Sequence, residues 1–258
     1  MQNKQSVTRR SHGITLVLMS VALLGSMAIE QVQAAIALDR TRVIFDGSQK
    51  SVSLSVSNQN KQLPYLAQGW IEDEQGNKIH SPLTVLPPVQ RIEAGKPSQV
   101  KIQALPAVQQ LPQDRESVYY FNLREIPPKS NKANTLQIAL QTRIKLFYRP
   151  AALAIAANGI PPQEQLTLIR QGDKYLVNNP TPYYVTLVDA STNKTGGGVK
   201  DFEPLMVPPR GSLPLSTSAS SLGSNPVLTY VNDYGGRPQL SFSCSGGKCT
   251  VVPEKKAL

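Results

Sequence analysis

Hydrophobic positions along this chain recur with period two over short stretches, and no long stretch shows helical spacing. Ser51-Val52-Ser53-Leu54-Ser55-Val56-Ser57-Asn58 alternates polar and apolar residues, the pattern of a half-buried strand. Leu38–Phe45 reads as a strand ended by the turn pair Asp46-Gly47. Leu66–Ile71, with the single Trp at 70, precedes a Gln75-Gly76-Asn77 turn, and Val100–Ala104 returns after Ala94-Gly95-Lys96-Pro97. Val118–Ile126 is aromatic-rich and stops at Pro127-Pro128. Leu136–Tyr148 runs without Gly or Pro up to Arg149-Pro150.

Residues 151–162 change character to small residues closed by Pro161-Pro162, which marks a boundary between two domains. Beyond it, strands are expected near Leu166–Arg170, Lys174–Val177, Tyr183–Val188, Val227–Val231, Gln239–Cys244 and Cys249–Val252, with Thr192–Lys200 and Ser216–Ser224 as loops. The fold class is all-β, two β-sandwich domains in series over 35–152 and 153–258.

The N-terminus does not belong to either sandwich. Lys4, Arg9 and Arg10 precede an apolar run from Ile14 to Ala28, and Val32-Gln33-Ala34 offers small residues for cleavage, so residues 1–34 read as a secretory signal peptide. The run is shorter than the roughly 20 apolar residues that span a bilayer, and no membrane insertion is expected. The formal charge of the 258-residue chain is +10; losing Lys4, Arg9, Arg10 and Glu30 leaves +8. That excess is spread along the sequence without a Lys/Arg cluster interleaved with aromatics, so no nucleic-acid partner is expected. Export also sets the chemistry of Cys244 and Cys249, which enclose Ser245-Gly246-Gly247-Lys248: a disulfide stapling a hairpin.

Enzyme signatures are missing. The sequence holds no G-x-S-x-G, phosphate-binding, dinucleotide-binding or H-E-x-x-H motif, and past the leader only His80 remains. No metal site, cofactor or catalytic residue is expected. What stands out is Leu136–Tyr148. Its even positions Leu136, Ile138, Leu140, Ile144, Leu146 and Tyr148 make one face apolar apart from Thr142. Pattern alone fits a core-facing strand, but 13 residues exceeds the usual five or six, so part of it should extend past its own sheet.

The segment Leu111-Pro112-Gln113-Asp114-Arg115-Glu116-Ser117-Val118-Tyr119-Tyr120-Phe121-Asn122-Leu123-Arg124-Glu125-Ile126-Pro127 resembles the signature segment of the periplasmic pilus (fimbrial) chaperone family. Leu38–Arg42, Lys61–Gln68, Leu136–Pro150, Asn178–Thr186 and Tyr230–Pro238 are similar to that family as well. The resemblance implies immunoglobulin-like sandwiches with an interdomain cleft. It implies that Leu136, Ile138 and Leu140 are donor-strand positions, lent to a pilus subunit that lacks its last strand. It assigns Arg42 and Lys145 to anchoring the subunit's C-terminal carboxylate, and Glu116, Arg149 and Asp233 to an interdomain salt bridge, expected to be exposed and to contribute little energy. Residues 128–135 resemble the short-loop branch, which serves rod-like pili. The implied partners are pilus subunits and an outer-membrane usher, the implied compartment is the periplasm, and self-association of the free chain through the donor strand is admitted. A secreted adhesin or carbohydrate-binding module on the same fold is the alternative, and an exported hydrolase a third reading. Pro87-Pro88 admits a cis bond.

Overall fold

The computed structural model describes residues 34–131, 134–156 and 159–253; apart from Ala34, the signal peptide assigned to 1–34 lies outside them. No helix among the described residues is long and apolar enough to cross a membrane. Ten strands build the first sandwich: β1 (Ile36–Leu38), β2 (Arg42–Asp46), β3 (Ser51–Asn58), β4 (Tyr65–Glu72), β5 (Lys78–Ile79), β6 (Leu83–Leu86), β7 (Val89–Ile92), β8 (Pro97–Ala104), β9 (Ser117–Ile126) and β10 (Gln141–Arg149). One sheet runs β1-β3-β8-β6, the other β2-β10-β9-β4-β5, with β7 also on β4. The period-two pattern does what it predicts: Leu54 and Val56 are buried while Ser53 and Ser55 face out. Val43, Phe45, Leu54, Ile71, Leu83, Ile102, Phe121 and Leu146 fill the space between the sheets.

Leu38–Phe45 is not one strand. The Asp39 N–H donates to the Ser55 carbonyl and its carboxylate accepts from the Ser55 N–H, which ends the β1–β3 pairing. The chain then crosses to the other sheet and re-enters as β2, parallel to β10. The Pro-rich stretch after His80 also holds β6 and β7, which alternation did not reveal; Ser81–Pro82 and Leu86–Pro87 are cis.

Eight strands form the second sandwich: β11 (Thr167–Gln171), β12 (Lys174–Asn179), β13 (Val185–Ser191), β14 (Leu205–Val207), β15 (Gly211–Ser218), β16 (Val227–Tyr230), β17 (Gln239–Ser245) and β18 (Lys248–Val251). They form a ladder ordered β14-β13-β16-β17-β18-β11-β12-β15. Gln239–Ser241 of β17 pair with β16 and Phe242–Ser245 pair with β18, so this strand carries the ladder from one layer to the other. Leu168, Val177, Leu187, Val207, Leu228 and Phe242 lie inside. Cys244 and Cys249 face each other across the β17–β18 hairpin, disulfide-bonded with Cα atoms 3.9 Å apart. Ser216, Thr217 and Ser218, expected in a loop, close β15.

Leu136–Tyr148 divides in two. Only Gln141–Tyr148 pair with β9, and residues 135–140 carry no ladder pairing. The reason lies across the ladder. β9 ends at Ile126, Pro127 has no N–H to continue it, and the Glu125 N–H bonded to the Leu140 carbonyl is the last rung.

At the end of β12, fully buried Asn179 organises the turn to β13, which meets the first sandwich at Glu116. Its amide donates to the carbonyls of Tyr183 (2.7 Å) and Pro208 (3.0 Å), and its oxygen accepts from the Thr181 N–H and hydroxyl. Asn179→Ala leaves these groups unmatched and should cost about 1–3 kcal/mol or more of stability. Urea unfolding followed by circular dichroism checks this; a midpoint unchanged from wild type would contradict it.

Candidate functional site

The parallel pairing of β2 with β10 sets Lys145 directly opposite Arg42, placing two cations side by side at the junction of the sandwiches. Each is met from the second sandwich. The Arg42 Nη1 donates to the Val231 carbonyl at 2.9 Å, and Lys145 Nζ lies 3.4 Å from the Thr186 hydroxyl. Arg42 also lies over the Phe147 ring, 5.8 Å from its centroid, while its Nε is buried without a hydrogen-bond partner. Burial, and after it the Arg42 charge, pulls the Lys145 ammonium below the usual lysine value; burial likewise lowers Arg42 against the pull of Asp233 and Glu116. Two half-buried cations at close quarters favour an incoming anion. Both line a cleft of about 400 Å³ to which the two sandwiches contribute.

Arg149 joins the sandwiches behind this cleft. Its Nε donates to Glu116 at 2.8 Å, and Nη1 and Nη2 form a two-pronged pair with Asp233 at 2.7 and 3.0 Å. Glu116 and Arg149 are only 3% and 8% exposed while the Asp233 side chain keeps 32%, so the Glu116–Arg149 half of the network is buried, unlike the exposed network expected from sequence. Glu116 sits where the second sandwich closes over it: its second oxygen accepts from the Tyr184 N–H, and its own N–H donates to the Pro182 carbonyl. Burial raises the Glu116 carboxyl above its ordinary value despite Arg149. For Arg149, burial works downward, but the bonds and charges of Asp233 and Glu116 carry it above the usual arginine value.

Sequence reasoning did not find the remaining bridges. The Tyr184 hydroxyl donates to Glu74 at 2.9 Å and its ring lies 5.8 Å from Phe147, the Tyr183 hydroxyl donates to the Leu153 carbonyl, and Arg210 pairs with Asp114. Gly235, at φ +84°, approaches so closely that a Cβ there would lie 2.6 Å from the Thr41 hydroxyl. The tandem tyrosines and the N-D-Y-G-G turn were the available signals.

Leu136, Ile138 and Leu140 lie in the unpaired segment that leads into β10. Leu136 is 83% and Ile138 61% exposed, whereas Ile144, Leu146 and Tyr148, of the same parity, are buried in the core. Since β2 pairs only with Lys145–Arg149, the β10 edge from Gln141 to Ile144 is open on that side. An apolar edge, unpaired and continuous with a cationic anchor, can accept another strand. No three or more His, Cys, Asp or Glu converge as a metal site among the described residues.

Residues 35–154 match the family model of the pili and flagellar-assembly chaperone PapD N-terminal domain, and residues 161–242 that of the pili assembly chaperone PapD C-terminal domain. The chain belongs to the pilus-assembly chaperone family. The chaperone is 54% identical to the probable fimbrial chaperone YfcS of Escherichia coli K12 (92% of this chain, 94% of the relative). It is 51% identical to the chaperone protein PapD of Escherichia coli (91% and 97%). Among solved structures it is similar to the periplasmic chaperone SfaE at 33% identity (TM-score 0.64; 80% of this chain, 98% of that one). It is also similar to a complex of the Salmonella enterica SafA pilin with the SafB chaperone at 26% identity (TM-score 0.67; 82% and 97%). Membership in a family of assembly chaperones sets aside the adhesin, carbohydrate-binding and hydrolase readings.

The buried and exposed bridges of the chaperone should behave differently. Glu116→Ala leaves the Arg149 Nε and the Tyr184 N–H unpaired in a buried site while Asp233 stays on the guanidinium, and should cost about 1–3 kcal/mol or more. Arg210→Ala removes an exposed pair and should cost less than about 1 kcal/mol. Denaturant titration of both variants checks the contrast, and equal losses would contradict it.

Proposed function

We propose that this chain is a periplasmic chaperone that binds and folds pilus subunits by donor-strand complementation, caps them against premature assembly and delivers them to an outer-membrane usher. The observation that carries this reading is the continuity of β10 with the unpaired segment before it. At one end it exposes Leu136 and Ile138 beside an unpaired edge; at the other it presents Lys145 against Arg42.

The chemistry follows from alternation. The N–H and C=O groups from residue 136 to Ile144 pair with the open edge of an incomplete subunit, while Leu136, Ile138 and Leu140 enter its core. Burying such side chains contributes roughly 1.5–3 kcal/mol each before the cost of association. Arg42 and Lys145 bind the subunit's C-terminal carboxylate in charge-assisted hydrogen bonds, and this fixes the register. A slip of one residue would turn the donor side chains away from the subunit, so the anchor decides which face is lent. Glu116, Arg149 and Asp233 act at one remove, by holding Val231 and Thr186 where they meet the anchor cations. The length of residues 128–135 supports a short-loop chaperone of rod-like pili. The domains are assigned to 35–152 and 153–258, after a signal peptide over 1–34.

Periplasmic co-expression with candidate pilus subunits tests this. A one-to-one complex is expected with the wild-type chain, while Arg42→Ala and Lys145→Ala remain folded and lose subunit recovery. Undiminished recovery in both would sink the anchor assignment. Ile138→Asp should abolish recovery with an unchanged melting temperature, since the side chain is exposed in the free protein; a large fall in melting temperature would return the segment to an ordinary core role.

A further inference from the structure

The basic excess that is dispersed in the sequence is gathered in space. From the cleft outward, the exposed face of the β2-β10-β9-β4-β5 sheet presents Arg42, Lys145, Arg143, Arg124 and Lys78, and Arg237 joins them across the cleft. Among the described residues, the one carboxylate in ion-pair distance of any of these six is Glu72, held by Arg143 at 2.8 Å. The cleft itself is lined by Arg42, Arg143, Lys145 and Arg237 and by no Asp or Glu. The outward face of the opposite sheet is different: Ser53, Ser55, Gln99 and Lys101 supply a single charge.

Aromatic rings hold several of these cations in place. Lys78 and Arg124 lie over Trp70 at 5.7 and 5.1 Å, and Arg143 lies over Tyr120 at 3.5 Å. Fixed cations lose less side-chain freedom when an anion arrives than cations on free stems. A single terminal carboxylate, seated between Arg42 and Lys145, leaves Arg124, Lys78 and Arg237 without a counter-charge. A surface of one sign bordered by a narrow cleft raises the encounter rate of an oppositely charged partner.

We propose that this face is a docking surface for an acidic face of the incoming pilus subunit, which it draws in and orients before the terminal carboxylate reaches Arg42 and Lys145. The inference rests on the subunit-binding reading above and adds the charge of the subunit surface next to its C-terminus. Arg124, Lys78 and Arg237 govern the rate of encounter; the donor strand and the anchor govern how long the complex lasts.

The test is stopped-flow association of a urea-unfolded pilus subunit, recovered from the wild-type complex, across 20–300 mM NaCl (on the order of the range over which screening changes). Lys78→Gln/Arg124→Gln/Arg237→Gln should associate about tenfold more slowly at low salt, with a shallower salt dependence and an unchanged dissociation rate. Lys50→Gln/Lys96→Gln/Lys101→Gln, which removes the same charge from the side of the opposite sheet, should associate like wild type. Equal rates in the two triple variants would overturn the inference while leaving the chaperone reading intact. Phosphatidylglycerol-vesicle binding lost in the first variant, with subunit association unchanged, would also overturn it and reassign the face to a membrane surface. Failure of the wild-type chain to form any subunit complex would overturn both readings.

Discussion

One guanidinium buried between two carboxylates holds the two sandwiches in a single arrangement. Arg149 leaves β10 at its last residue, takes Glu116 from just before β9 in its own sandwich, and grips Asp233 from the other. Removing charges from water is expensive, and the arrangement stands because nearly every polar atom of the network has a partner, down to the Tyr184 N–H on the second Glu116 oxygen. Asp233 lies two residues beyond Val231, whose carbonyl orients Arg42. The position of Arg42 in the first sandwich thus depends on a clamp to the second. A rotation of one sandwich would be felt at Arg42 before it reached the exposed Leu136 and Ile138.

β10 and the unpaired segment before it do four jobs between them along residues 136–149. Leu136 and Ile138 face solvent, Ile144 and Leu146 pack the core, Lys145 faces the cleft between them, and Arg149 locks the domains. Alternation makes this economical, because successive residues look in opposite directions and core packing on one face fixes the cleft chemistry on the other. The rigid part of the strand also aims the exposed part.

Much of this was legible in the sequence because period-two alternation reports burial directly. Ser51–Asn58 and Val118–Ile126 appear as strands within a residue of those limits. Alternation failed where another interaction takes over: Asp39 ends a strand by bonding Ser55, Pro127 ends a ladder from the opposite side, and prolines hide β6 and β7. Burial of Glu116 and Arg149 was invisible for a different reason. Three charged residues separated by 33 and 84 positions look like surface residues until the fold brings them together. The same holds for the cationic face, whose members lie on different strands and read as diffuse charge along the chain. The chemical kinds of residue could be read; their mutual exclusion of water could not.

The limited pairing of β2 has one more consequence. Because β2 covers β10 only from Lys145 onward, the uncovered stretch back to Leu136 has a set length, about 26 Å at the rise of an extended chain. In the donor-strand function proposed above, with one end pinned at the cation pair, that stretch would work as a ruler. A guest whose gap is shorter would leave Leu136 protruding into water, and one whose gap is longer would keep part of its own core wet. Fit would be judged by length as well as by side chain, and the residue at which β2 begins to pair sets the scale.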